Sequence, residues 1–201
     1  MSEKKFNSIL LGGLFIVFIW SIFKPHDYFT WFLEVFPVFI GLVILIAVYK
    51  KFKFTRFTYL LIFLQAVILF IGGHYTYAEM PLFDWLKEVL ELKRNYYDRV
   101  GHFMQGFVPA IIAREILLRK RIVKNDIWLK FIVVSICLSV SVFYEFIEWW
   151  VAIATGTAAE AFLGTQGDIW DTQWDMFLAL IGALTAVIFF SKFHDKKLKE
   201  L

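Results

Sequence analysis

Residues 128–150 read WLKFIVVSICLSVSVFYEFIEWW. Lys130 is the only charge before residue 145, and the rest is mostly Ile, Val, Leu, Phe and Trp. These 23 residues form a helix about 35 Å long, enough to cross the roughly 30 Å of bilayer hydrocarbon. The end of the stretch changes character. Glu145 and Glu148 stand three apart among Phe143, Tyr144, Phe146, Ile147, Trp149 and Trp150. A carboxylate at that depth costs on the order of 2–4 kcal/mol on insertion scales, so both need partners. One segment therefore poses two questions: how many such spans the chain has, and what meets the two glutamates.

The composition answers the first. The chain has 201 residues, 60% of them hydrophobic and 20% aromatic, with mean hydropathy +0.66. A water-soluble domain of this size rarely runs so apolar. Six apolar segments reach spanning length: 7–23, 31–49, 57–73, 100–118, 128–150 and 174–193. The first is followed by Lys24-Pro25-His26-Asp27 rather than a small-residue cleavage site, which argues for a span and against a signal peptide. Of the 21 Lys and Arg residues, 16 fall on one side of this threading and 5 on the other. The positive-inside bias then places both termini in the cytoplasm, and an even number of spans agrees. That bias also accounts for the basic pI without nucleic acid. In the third loop, residues 83–93 alternate apolar and charged side chains with helical spacing, as an amphipathic helix on the outer membrane surface would. The expected fold class is all-α: a polytopic helix bundle forming a single integral membrane domain over 1–201. Its core unit covers about 95–193. The single Cys137 offers no disulfide.

The threading gathers polar residues at the outer face. Asp98 and His102 sit one turn apart at the outer end of the fourth span, as do Asp171 and Asp175 at the start of the sixth. Glu145 and Glu148 end the fifth. A His with several carboxylates suits a divalent metal such as Zn, Mn or Fe. The candidate ligands are Asp98, His102, Glu145, Glu148, Asp171 and Asp175, with Asp168 beside them. Asn95 to Asp98 and Thr172 to Asp175 also read as capping boxes, which would give those acids a structural task. His26 and His74 read as interfacial polar residues, and Trp170 and Trp174 as an aromatic belt. Arg114, Glu115 and Arg119 form an ion-pair cluster at the cytoplasmic end, and His194 falls on that side. There is no nucleophile motif, no Glu-x-x-His or H-E-x-x-H metal motif, and no phosphate-binding glycine loop.

The segments 95–103, 114–115, 144–150 and 163–176 closely resemble the YjdF family of bacterial inner-membrane proteins. The resemblance implies a multi-pass protein of the bacterial cytoplasmic membrane, and it implies no particular chemistry. A fainter similarity is to VanZ-like membrane proteins, which share an Asp-x-x-x-His-Phe helix start, matched here by Asp98, His102 and Phe103. Glu145 or Glu148 matches their next helix, and Asp175 with Gly182 the one after. Ala179 stands where those proteins carry Asn. This comparison implies that the last three helices form one unit around the polar cluster.

The leading expectation is an outer-leaflet acidic and histidine pocket that binds a divalent metal ion or a polar headgroup. If catalytic, it would use His102, Glu145 and Glu148 in a metal-assisted reaction on a membrane lipid or lipid-linked substrate. The alternatives are a small proton-coupled transporter or flippase carrying protons on Glu145 and Glu148, and a structural or accessory membrane subunit.

Overall fold

Long runs of Leu, Phe, Ile and Val with few prolines favour helix once lipid replaces water, because every backbone donor must then be satisfied within its own segment. The computed structural model describes residues 1–156 and 160–201, and among these every regular element is a helix. In chain order they are α1 (Glu3–Ile22), α2 (Tyr28–Val48), α3 (Arg56–His74), α4 (Pro81–Val89), α5 (Tyr97–Arg119), α6 (Asp126–Thr155), α7 (Glu160–Leu163), α8 (Asp171–Phe189) and α9 (Ser191–Leu198).

Local chemistry sets many of the ends. Ser2 caps α1 by accepting the Lys5 N–H at 3.3 Å. Asp27 caps α2 by accepting the Thr30 N–H at 2.7 Å, and that bond holds its carboxyl below the usual aspartate value. Pro81 occupies the first turn of α4, where its missing N–H costs nothing. α5 stops in a Schellman turn: Ile122 N–H reaches the Leu117 carbonyl at 3.0 Å, and Arg121 takes the left-handed φ of 55° that glycine usually supplies.

Among the described residues five helices are long and apolar enough to cross a membrane: α1, α2, α3, α6 and α8. The protein is thus a polytopic helical membrane protein, as the sequence indicates. α5 covers the expected 100–118 segment and at 23 residues has the length. It is not among those five. Asp98, Arg99, His102, Arg114, Glu115 and Arg119 make it too polar by composition. Two segments end earlier than expected. The amphipathic helix ends at Val89 rather than running to 93, because Glu91 adopts φ 50° and Leu92 N–H turns back to the Lys87 carbonyl. The segment expected to run 174–193 breaks after Phe189, and Ser191 starts the short α9.

Burial runs opposite to that of a soluble protein. Ile16, Val43, Ile46 and Ile153 are exposed, while Asn95, Glu115 and His194 are completely enclosed. In water this pattern would be unstable; in hydrocarbon the exposed Ile and Val lose nothing, and the charged groups find partners inside.

The described chain divides into two compact units. The first comprises Met1–Lys53, Phe63–Gly101 and Glu148–Ile169. Its core holds Leu14, Trp31, Val35, Val38, Ala66 and Phe70. Phe18 is the aromatic hub there, edge-on to Phe39 at 5.8 Å and tilted on Phe70 at 5.7 Å. The buried indole of Trp31 donates to Ser21 Oγ at 3.2 Å. The second unit comprises Phe54–Ile62, His102–Ile147 and Trp170–Leu201. Its core includes Phe107, Ala110, Ile111, Val133, Cys137, Ala183 and Ala186. Within this unit α5 and α8 cross at very close range. A Cβ added to Gly106 would overlap the Ala179 carbonyl, and one added to Gly182 would overlap that of Phe103. Small residues at such a crossing let backbones approach in lipid, where packing rather than the hydrophobic effect drives association.

Candidate functional site

His102, one turn into α5, lies in the second unit and is buried. Its Nδ1 sits 2.8 Å from Gln105 Oε1 on the same helix. With the amide oriented so, Nδ1 carries the proton and Nε2 faces outward from the pair. Nε2 lies 3.6 Å from Asp175 Oδ1, on the first turns of α8. Glu145, on α6, brings a carboxylate oxygen within 4.8 Å of the same ring. Asp175 is 2% exposed and Glu145 6%. The His102 imidazole and the Asp175 carboxylate are groups that can share a proton, and their atoms are of the type that ligates a divalent ion.

Glu148, in the first unit, follows Glu145 by three residues on α6. Asp171, 6% exposed, begins α8 one turn before Asp175. The Thr172–Asp175 capping box is not formed: α8 starts two residues earlier, with Trp170 at the cap and no side-chain bond to it. Asp175 therefore has no capping task and turns inward to His102.

In the first unit Asp98 lies 3.4 Å from Arg94 and 3.6 Å from Arg99. The same two guanidinium groups hold Asp168, at 3.6 and 3.2 Å. Two arginines thus compensate two aspartates in a buried cluster, and the charge of Asp98 is already matched. Asn95 and Gln166, 71 residues apart, pair reciprocally beside it. Gln166 accepts the Asn95 N–H at 2.9 Å and donates to its carbonyl at 3.0 Å. The Asn95 carboxamide accepts the Tyr97 N–H at 3.1 Å, an Asx turn in place of the expected box with Asp98. His26 and His74 serve the loops: His26 meets Glu79 at 2.9 Å, and His74 Nδ1 meets the Ser21 carbonyl at 2.9 Å.

The ion-pair cluster expected at the other end of α5 is part of a larger polar centre, whose more distant partners sequence reasoning missed. Glu115 is fully buried and takes bonds from Thr55, Thr58 and Arg119. His194 of α9, also fully buried, donates Nε2–H to Glu115 at 3.2 Å. Arg114 has only donors, so His194 Nδ1 accepts from it at 3.2 Å, which fixes the neutral tautomer. Arg114 also binds Asp195 at 2.6 Å. The Glu115–Arg119 pair was legible from its spacing. The His194 contact, 79 residues away, was not.

The comparisons bear on identity at this point. Residues 6–196 match a family described as predicted membrane proteins, DUF2238. The chain belongs to that family. It is also 49% identical over 186 residues to the inner membrane protein YjdF of Escherichia coli strain K12, covering 92% of this chain and 89% of that protein. No solved structure matches. This DUF2238 protein is therefore an integral membrane protein with an inner-membrane relative. At Ala179, the VanZ-like Asn would have to fit a fully buried position against Gly106, where the backbones leave no room for a carboxamide.

Proposed function

We propose that this protein is a single integral membrane domain over 1–201 whose polar site, centred on His102, binds a divalent metal ion. The metal in turn would engage a polar lipid headgroup or lipid-linked ligand at the outer leaflet. The observation that carries this reading is the buried His102 Nε2 facing Asp175 at 3.6 Å, with Glu145 close by. Asp171 and Glu148 extend the donor set by one turn along α8 and α6, and Asp98 extends it along α5. If the site is catalytic, His102, Glu145 and Glu148 are the residues for a metal-assisted reaction.

The test is elemental analysis of protein purified in detergent, with His102→Ala and Glu145→Gln alongside. The expected result is about one divalent ion per chain, lost in both variants. Parent protein that stays metal-free at neutral pH after exposure to zinc, manganese and magnesium would sink the metal. A proton would then be the cation between His102 and Asp175, as the transporter reading requires.

We further infer six spans, with α5 as the fourth, in the bacterial cytoplasmic membrane with both termini inside. The chain's one cysteine, Cys137, is buried, which leaves a quiet background for labelling. Thr165→Cys should react with an impermeant maleimide on intact spheroplasts, and Lys199→Cys only after permeabilisation. The reverse pattern would invert the topology.

A further inference from the structure

A groove of about 300 Å³ lies on the second unit between α5 and α6. Pro109, Ile112, Ala113, Ile116, Leu117 and Ile136 line it, and none presents a polar atom. The groove is remote from His102: the seven residues to Pro109 separate it from the near end by about 10 Å of helix, and Leu117 lies about 22 Å away.

What sits at its far end gives it an occupant. Ile116 and Leu117 belong to the last turn of α5, where their carbonyls accept the N–H groups of Lys120 and Ile122. The connection that follows carries Arg119, Lys120, Arg121, Lys124 and, on α6, Lys130. Asp126 is the sole acid there, and Lys130 already holds it at 2.6 Å. Glu115 is enclosed and committed to its own network. Arg121 and Lys124 are exposed, with no ion-pair partner among the described residues. Ile122, Ile127 and Trp128 are exposed on the same connection, which suits the interfacial layer of a bilayer. An apolar slot followed in the chain by the exposed cations Arg121 and Lys124 matches the chemistry of a lipid with an anionic head.

We propose that this groove is a binding site for an anionic phospholipid, with one acyl chain between α5 and α6 and the phosphate held by Arg121 and Lys124. The backbone supports a selective test. Arg121 holds φ 55°, a conformation that glycine adopts without penalty. Arg121→Gly removes the cation while relaxing the turn, so loss of lipid in that variant does not arise from loss of fold.

The experiment is native mass spectrometry of the full chain with phosphatidylglycerol or phosphatidylcholine of identical acyl chains. The parent is expected to retain phosphatidylglycerol at least tenfold more tightly. Arg121→Gly and Lys124→Gln should each weaken that binding about fivefold, and together bring it to the phosphatidylcholine level. Ala113→Phe, which fills the slot, should reduce retention of both lipids. Thermal unfolding in detergent should give Arg121→Gly a midpoint at or above the parent's. Equal retention of the two lipids by the parent, or undiminished phosphatidylglycerol binding in the double variant, overturns the proposal. So does a dimer that Ala113→Phe dissociates, since the groove would then hold a second copy of the chain.

Discussion

Gly106→Ala is expected to cost at least about 3 kcal/mol and to leave little folded protein in detergent. An added methyl in a tight core usually costs about 1–3 kcal/mol, absorbed by side chains that shift. Here the methyl would meet the backbone carbonyl of Ala179, so α5 and α8 must separate. Separation also opens the contact at Gly182, where α8 lies against the Phe103 carbonyl. The control is Gly41→Ala on α2, where nothing lies within 4 Å of the new methyl. In that open position the substitution should be neutral or stabilising by about 0.5–1 kcal/mol, because glycine is the poorer helix former. Thermal unfolding followed by size exclusion gives the comparison. If both variants unfold alike, the close crossing of α5 and α8 is wrong.

Glu115→Ala is expected to be comparably severe, about 3–5 kcal/mol, the usual cost of removing one partner from a buried charged network. Five bonds converge on this carboxylate, from Thr55 N–H at 2.9 Å, Thr55 and Thr58 hydroxyls at 3.0 and 2.6 Å, Arg119 at 2.9 Å and His194 at 3.2 Å. Alanine strands all of these donors at once. Glu115→Gln should recover only part, since in either orientation its amide nitrogen faces a donor, the Thr55 N–H and Arg119 on one side or His194 Nε2–H on the other. The informative measurement is a double-mutant cycle with His194→Ala. Shared bonds make the two losses overlap, so the pair should cost at least about 1 kcal/mol less than the sum of the singles. Strict additivity would mean that His194 and Glu115 do not touch.

The sequence carried the membrane class, the boundaries of most long helices and the same-helix pairs. These depend on local hydropathy and on the 3.6-residue turn, and both are written into consecutive residues. The Glu115–Arg119 pair, four residues apart, is legible in that way. What was not legible needed distant segments to meet. Asn95 with Gln166 and Glu115 with His194 are joined across more than seventy residues, and no period links them. Arg94 and Arg99 count equally well as topology charges or as partners of Asp98 and Asp168. The capping box at Thr172 failed for a local reason: α8 begins two residues early, a shift of the size by which helix ends commonly vary.

The polarity of α5 also bears on the order in which the chain is built. Its polar side chains are answered within the second unit mostly by α8 and α9: Asp175 for His102, Asp195 for Arg114 and His194 for Glu115. The last two partners lie 81 and 79 residues downstream, so they leave the ribosome long after α5 does. During synthesis α5 is therefore complete before most of the groups that neutralise its polar side chains exist. On the six-span reading proposed above, it would enter the bilayer together with the C-terminal helices. The final eight-residue helix is in this sense a late delivery that completes α5.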